Sequence, residues 1–225
     1  MAAAFIHYFL GIGIASLFGY TGLEALIIGL VGALQDLDFL SFFFYRHVMK
    51  SKAGRLVMHR GITHTVLLAI ACPVLVLFLS PQFSLLILLN FVLHIFTDYV
   101  TAWGVSPFLP FSDKRYSLGL MTIFDVPLTF LSALIGVSGF FSVNLLLPFS
   151  AFFGYILLRF ALKRRLKYDD LVPMGNFTYA FCIPENDYEV GKVNISGRKE
   201  TILVKKYESV IDSSLLEEID AKVKK

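Results

Sequence analysis

Long apolar segments dominate the first three quarters of the chain. Several approach the roughly 20 residues that a helix needs to cross a bilayer. Turn signals at Gly19-Tyr20-Thr21-Gly22, at Ser80-Pro81-Gln82 and near Ser142 separate them. We expect an all-α polytopic membrane domain of about five or six transmembrane or re-entrant helices over residues 2–18, 22–45, 63–80, 83–103, 120–141 and 143–162. Residues 2–45 fit either two full spans or a re-entrant hairpin.

The pattern changes at the basic run KRRLK, residues 163–167. The segments NFTYAFCIP, DYEVGKVNI and ETILVKKYESV alternate apolar and polar residues, which predicts short strands, and Ser213 begins an amphipathic helix. We therefore predict two domains. Residues 1–165 form the helical membrane domain with the functional site, and residues 166–225 form a small soluble C-terminal domain that is α+β and rich in strands.

Composition supports this division. Apolar residues make up 56% of the chain and charged residues 16%, against about 25% in soluble domains. Such a chain is not intrinsically disordered, a coiled coil or collagen-like. The net charge of +3 is too small to indicate binding to a phosphate backbone, so a nucleic-acid partner is not expected.

The distribution of Lys and Arg predicts the topology. Basic residues cluster at 46–60, at 113–115 and at 163–167, whereas the turns near 20, 81 and 142 have none. Because cytoplasmic loops carry the excess of basic residues, we expect a multi-pass protein of the cytoplasmic (inner) membrane. Its N-terminus and its C-terminal domain would both be cytoplasmic, and membrane lipid would surround it.

Histidines and aspartates lie within or against the apolar segments, where ionisable residues are costly and usually functional. With the topology above, they all fall in the cytoplasmic half of the membrane domain. Mixed imidazole and carboxylate donors suit zinc, manganese or iron. We expect two or three divalent transition-metal ions, with zinc first and manganese as the alternative, held by His7, Asp36, Asp38, His59, His64, His94, Asp98 and Asp125.

The spacing of these residues adds detail. His94 and Asp98 are four positions apart and share one helix face. Asp36 and Asp38 would point about 200° apart on a regular helix, so a shared site requires a helix end there. Thr63 is a candidate N-cap for the helix that follows. Asp125, just before Val126-Pro127, is equally explained as an acidic residue at a helix N-terminus.

The same residues resemble a known family. His7, QDLD at 35–38, HRGITHT at 59–65, HIFTDYVTAWGVSPFLPFSDKR at 94–115 and DVP at 125–127 are similar to the motifs of YdjM-like inner-membrane metal-dependent hydrolases. Gln35 departs from the proline that commonly precedes the first aspartate. The resemblance implies hydrolysis with bound metal. The ligand pattern is distantly similar to zinc phospholipase C and single-strand nuclease sites, which implies phosphoester chemistry.

We expect an integral-membrane metal-dependent hydrolase, a phosphoesterase that acts on a lipid or another membrane-proximal substrate. A bound cation lowers the pKa of a water ligand and so supplies a nucleophile near neutral pH. Arg60 and Asp98 are the candidate catalytic residues. Arg60 is also expected to bind a substrate phosphate, and Lys114 and Arg115 to attract an anionic headgroup.

Three other functions fit parts of the pattern. Intramembrane His and Asp residues also mark ion pathways, so a divalent metal-ion transporter is the first alternative. A haem-binding electron carrier would use His64 and His94 as axial ligands, but it leaves the carboxylates unexplained. A non-enzymatic metal-binding membrane protein whose tail binds partners is the third.

Overall fold

The computed structural model describes residues 2–38, 60–166, 168, 171–184 and 187–206. The predicted ligand His59 and the predicted helix from Ser213 lie outside these ranges. The chain divides into two compact units, residues 1–160 and 161–225. The boundary falls inside the last helix, shortly before the one predicted after residue 165.

Each predicted apolar segment contains a helix. The described residues contain the α-helices α1 (Ala2–Leu17), α2 (Gly22–Ala33), α3 (Val66–Leu77), α4 (Pro81–Val100), α5 (Val126–Phe140) and α6 (Leu146–Arg165). Two short 3-10 helices, Leu34–Asp38 and Ile62–His64, follow α2 and precede α3. The segment from residue 22 therefore leaves α-helical geometry before its aspartates, as expected if the two were to share a site.

Among the described residues, α4 and α6 are long and apolar enough to cross a membrane, and α1, α3 and α5 are shorter apolar helices. The mostly helical architecture is confirmed, whereas five or six crossings stay a prediction. Helix α1 packs against α2, α4 and α5. The core at these contacts is formed by Ile6, Leu10, Val100, Leu120, Met121, Leu128, Ile135, Leu145, Phe152 and Ile156.

Glycines allow α1 and α2 to approach closely. A Cβ at Gly32 would lie 2.3 Å from the carbonyl oxygen of His7, and one at Gly11 would lie 2.3 Å from the carbonyl oxygen of Gly29. Both distances are far shorter than carbon–oxygen contacts allow. The bare backbone at these positions therefore brings His7 on α1 close to the end of α2.

Capping side chains define where the helices begin. Ser80 accepts a hydrogen bond from Phe83 N at the start of α4, and Asp125 accepts one from Leu128 N at the start of α5. The cap of α3 is Thr65, which accepts from Leu68 N. The prediction that Thr63 caps this helix was wrong, because the 3-10 helix Ile62–His64 intervenes and uses the Thr63 hydroxyl elsewhere.

Residues 101–125, here called the strap, connect α4 to α5. Leu118 N and Leu120 N donate to the carbonyl oxygens of Tyr99 and Val100 at the end of α4, and Val66 N donates to Pro107 O. Gly104 has a φ of 61°, and a Cβ there would lie 2.2 Å from Tyr116 O. The strap is therefore fastened to the helix ends that carry the candidate site.

The second unit contains the predicted strands. β1 (Val172–Pro173), β2 (Thr178–Pro184), β3 (Asp187–Asn194) and β4 (Lys199–Lys206) form an antiparallel sheet in the order β1-β2-β3-β4. Thr178 pairs with Asn194, and Val193 pairs with Lys199. Hydrogen bonds from Lys199 and Thr201 lower the pKa of the Glu189 carboxyl on the neighbouring strand.

Candidate metal centre

Five predicted ligands from four segments meet inside the first unit. His7 lies on α1, Asp36 on the 3-10 helix after α2, His64 on the 3-10 helix before α3, and His94 and Asp98 on α4. The side chains of the three histidines and of Asp98 are at most 2% exposed, and that of Asp36 is 9% exposed. Asp36 is therefore the member nearest to the surface.

Four donor atoms converge, and we call them the four-donor cluster: His64 Nε2, His94 Nε2, Asp36 Oδ1 and Asp98 Oδ2. The two imidazole nitrogens are 3.0 Å apart. Asp98 Oδ2 lies 3.3 Å from His64 Nε2 and 4.0 Å from His94 Nε2. Asp36 Oδ1 lies 3.8 Å and 3.6 Å from the same two nitrogens.

These separations have the size that metal ligation requires. With bonds of about 2.0–2.2 Å, neighbouring donors of a tetrahedral zinc ion lie about 3.3–3.6 Å apart. The five separations that involve an imidazole nitrogen range from 3.0 to 4.0 Å and bracket that value. The side chains therefore surround a position of the right size for one divalent ion.

The hydrogen bond made by His94 Nδ1, the ring nitrogen that points away from the cluster, determines which nitrogen of His94 has a free lone pair. His94 Nδ1 lies 2.8 Å from the carbonyl oxygen of Gly32. A carbonyl oxygen only accepts, so Nδ1 carries the ring hydrogen and Nε2 of the neutral ring presents a lone pair. Metal-binding histidines are commonly held through their other nitrogen in this way.

Thr63 holds a hydrogen on Nδ1 of His64. The Thr63 hydroxyl donates to Asp38 Oδ2, and its oxygen lies 2.9 Å from His64 Nδ1. Since its single hydrogen is directed at Asp38, the hydroxyl oxygen accepts from His64 Nδ1. His64 Nε2 lies opposite His94 Nε2 at hydrogen-bond distance, 3.0 Å; a metal ion would bind His64 in the form that has its hydrogen on Nδ1.

Each carboxylate in the cluster has one oxygen held by a neighbouring donor. Asp36 Oδ2 lies 2.9 Å from His7 Nδ1, and Asp98 Oδ1 accepts from Arg60 Nη2 at 2.7 Å. The other oxygen of Asp98, Oδ2, is buried, and no residue that the structure describes donates a hydrogen bond to it. A buried acceptor of this kind calls for a partner from outside the protein chain.

A divalent cation meets these requirements. With the ring hydrogens on Nδ1, two imidazole lone pairs and two carboxylate oxygens repel one another at these distances, and a cation converts that repulsion into attraction. Mixed nitrogen and oxygen donors suit zinc or manganese. The residues present thus fit the metal expected from the sequence, at one position.

A second group of donor atoms shares His94. Donor atoms of His7, Asp36 and His94 lie within 4.8 Å of one another, as do those of His64, His94 and Asp98. The rings of His7 and His94 stack with centroids 3.5 Å apart. Because His94 has one available lone pair, both groups meet at the same nitrogen. The expectation of two or three ions stays a prediction.

Asp38 does not share the position of Asp36, although both were predicted ligands. Its Oδ2 accepts from Thr63 Oγ1 and from Arg60 N, the latter at 3.1 Å, and lies 3.3 Å from His64 Nδ1. That nitrogen is on the side of the imidazole ring facing away from the four-donor cluster. Asp38 therefore contacts Thr63, the backbone of Arg60 and the Nδ1 side of His64. It is not one of the four donors.

Asp125 lies in a different buried cluster. Its carboxylate accepts from Leu128 N, from the Tyr155 hydroxyl and from Arg159 Nη1, at 3.0, 2.9 and 3.3 Å. The structure therefore does not bring Asp125 to the four-donor cluster. It confirms the alternative in which Asp125 is the acidic residue at the N-terminus of a helix. Tyr155 and Arg159 were missed, because nothing in the spacing links them to a residue 30 positions away.

Arg60 is buried and already engaged. Its Nη2 donates to Asp98 and its Nη1 to Gly104 O at 2.9 Å, and its guanidinium carbon lies 5.8 Å from the centroid of the Trp103 ring. With both terminal nitrogens occupied, this arrangement favours orientation of Asp98 over the predicted bidentate contact with phosphate. Its φ of 64° lets the backbone N–H face Asp38 while the side chain reaches Asp98.

Lys114 and Arg115, predicted to attract an anionic substrate, are exposed on the strap. Lys114 Nζ lies 5.3 Å from the centroid of the Tyr116 ring. Gln35, which precedes Asp36 in the chain, donates from Nε2 to Thr63 O at 2.7 Å. This contact, which sequence reasoning missed, ties the two 3-10 helices together beside His64.

Comparisons with known proteins agree with the motif pattern. A family model described as YdjM inner membrane protein matches residues 1–166, which confirms the predicted resemblance. The chain is also 30% identical over 133 residues to the uncharacterized protein YfhP of Bacillus subtilis (strain 168). That alignment covers 53% of this chain and 40% of YfhP. No solved structure matches the chain.

Proposed function

We propose that this chain, which belongs to the YdjM inner membrane protein family, is a metal-dependent hydrolase of phosphoesters. The observation that carries the proposal is the four-donor cluster, in which two imidazole nitrogens and two carboxylate oxygens face one position. Asp98 Oδ2, buried without a hydrogen bond from any described residue, is its clearest element. We further propose zinc as the ion, with manganese as the alternative.

Residues of the chain would bind the metal ion and hold its ligands in position. His64, His94, Asp36 and Asp98 would hold the ion, His7 fixes Asp36, and Arg60 fixes Asp98. When bound, a divalent ion would acidify a water molecule and stabilise negative charge that develops on a phosphoryl oxygen. Asp98 is the proposed catalytic residue, and Arg60 supports it as a positioning residue.

A lipid or another membrane-proximal phosphoester is the proposed substrate. A member of an inner membrane family meets such molecules at the headgroup layer. Exposed Trp103, Phe108 and Phe111 accompany Lys114 and Arg115 on the strap, and aromatic and basic side chains suit the interface of an anionic leaflet. The proposed topology places the strap and the site on the cytoplasmic side.

The test compares Asp98→Asn with Asp125→Asn, two isosteric changes of buried carboxylates in different clusters. We expect wild-type protein purified in detergent to contain zinc or manganese by elemental analysis. Asp98→Asn should lose the metal while keeping its helical circular dichroism. Asp125→Asn, if recovered folded, should keep the metal.

Activity is then measured on bis-p-nitrophenyl phosphate, with release of p-nitrophenol as the signal, and on phospholipid vesicles, with release of the headgroup as the signal. Hydrolysis that disappears together with the metal supports the proposal. Metal retained by Asp98→Asn would overturn the ligand assignment. Bound metal without hydrolysis of either substrate would favour a metal-binding protein or, if proteoliposomes take up the ion, a transporter.

A further inference from the structure

We propose that Asp38 and Thr63 form a hydrogen-bonded pair that positions His64 with its Nε2 directed toward the four-donor cluster, so that Asp38 acts through His64 and not as a metal ligand. This inference rests on the proposed function and deepens it. It assigns a role to the second aspartate of the QDLD motif different from that of the first, Asp36.

The direction of the hydrogen bonds supports this role. Asp38 only accepts, so Thr63 donates to it and accepts from His64 Nδ1. A carboxylate behind the hydroxyl prevents the hydroxyl from turning its hydrogen toward the imidazole. The pair therefore holds an N–H at His64 Nδ1, which fixes the ring with Nε2 opposite His94 Nε2, 3.0 Å away.

The pair is itself held rigidly from both sides. Gln35 Nε2 donates to the carbonyl oxygen of Thr63, and Arg60 N donates to Asp38 Oδ2. Arg60 reaches this position with its backbone in the left-handed region, at a φ of 64°. Such a conformation is uncommon for a residue other than glycine and persists only where its surroundings impose it.

The side chain of Asp38 is only 5% exposed and that of His64 is fully buried. Burial makes the hydrogen bond that positions His64 matter more, because water cannot replace a lost partner at Nδ1. Residues that hold a metal-binding histidine in this way typically change metal affinity about 10- to 100-fold when they are replaced. Replacing a residue that itself binds the metal should lower the metal affinity by a larger factor.

The experiment uses the full-length protein in detergent and Co²⁺ as a spectroscopic probe. Thr63→Val keeps the shape of the side chain but removes the hydroxyl, and Thr63→Ser restores it. We expect the Co²⁺ dissociation constant to rise about tenfold in Thr63→Val and to return close to wild type in Thr63→Ser. Asp38→Asn should weaken binding up to about 100-fold.

The Co²⁺ absorption bands distinguish a positioning residue from a ligand. If Asp38 positions His64, saturated Asp38→Asn keeps the wild-type band positions and intensities, whereas Asp36→Asn changes them because a ligand is lost. A changed spectrum in saturated Asp38→Asn would make Asp38 a ligand and overturn the inference. Unchanged affinity in Thr63→Val would overturn it as well.

Failure of this inference is separable from failure of the proposed function. A wild-type protein that binds no metal refutes both. A wild-type protein that binds and loses metal on Asp98→Asn, while Thr63→Val binds as tightly as wild type, refutes only the positioning role. Unfolding of each variant in denaturant confirms that the affinities are those of folded protein.

Discussion

Two buried polar clusters in the first unit are built from similar residue types. They differ in whether the chain itself satisfies both oxygens of the carboxylates. In the Arg159 cluster, formed by Asp125, Tyr155 and Arg159, the carboxylate accepts from a helix N-terminus, a hydroxyl and a guanidinium. Arg159 Nη2 also donates to Leu120 O at 2.7 Å. Both oxygens of the carboxylate are thus satisfied by the chain itself.

In the four-donor cluster, by contrast, one oxygen of each carboxylate is held and the other faces imidazole nitrogens. Arg60 pairs with Asp98 much as Arg159 pairs with Asp125, yet Asp98 Oδ2 has no donor among the described residues. Burial and charge alone therefore do not identify a functional carboxylate. The distinguishing feature is whether the folded chain completes its hydrogen bonds.

The largest expected effect comes from breaking the Arg159 cluster. Arg159→Met leaves Asp125 buried without its cation, and removing one partner of a buried ion pair typically costs about 3–5 kcal/mol. We expect a loss of that size in the free energy of unfolding, measured by denaturant titration in detergent micelles. The double variant Arg159→Met/Asp125→Asn should recover part of it, because no uncompensated charge remains. A single variant as stable as wild type would show that the pair is not structural.

The second-largest expected effect is the stabilisation that a metal ion gives when it binds the four-donor cluster. Zn²⁺ at a free concentration 100 times its dissociation constant should stabilise the wild-type protein by about 2.7 kcal/mol, since it binds the folded state. Asp98→Asn should show no such increment, whereas Arg159→Met should keep it. The measurement is unfolding with and without buffered metal. Equal stabilisation of Asp98→Asn would place the ion elsewhere.

The smallest effect concerns Arg60. Lysine cannot reproduce its two contacts, to Asp98 and to Gly104 O, so Arg60→Lys should raise the metal dissociation constant about tenfold, and Arg60→Met about 100-fold. Trp103, the single tryptophan and a neighbour of the guanidinium, supplies a fluorescence signal for the titration. If Arg60 contacts only substrate, metal affinity stays unchanged and only activity falls.

Much of the fold was predictable from local patterns. Apolar segments, turn residues and alternation predicted about five or six helices and short C-terminal strands, because backbone hydrogen bonding and burial act on neighbouring residues. The helix ends were less predictable. A site shared by Asp36 and Asp38 required a break, but the cap at Thr65 and the 3-10 helix before it depend on contacts with other segments.

For the candidate site, the residue types and their depth along the helices indicated which side chains to consider. Ionisable groups in apolar sequence are costly, so His7, His64, His94 and Asp98 stood out without a structure. The i,i+4 relation of the last two follows from helix geometry. The sequence thereby determined the chemistry that is available and predicted which half of the membrane domain holds it.

The division of roles came from the packing of distant segments. Asp36, Asp38 and Asp125 are alike in sequence, yet one faces the four-donor cluster, one backs His64 and one pairs with Arg159. Hydrogen-bond directions, such as that from His94 to Gly32 O, exist only once α2 and α4 have packed together. Partners that are more than 20 residues apart are selected by tertiary contacts at a scale of a few ångströms, which no local pattern encodes.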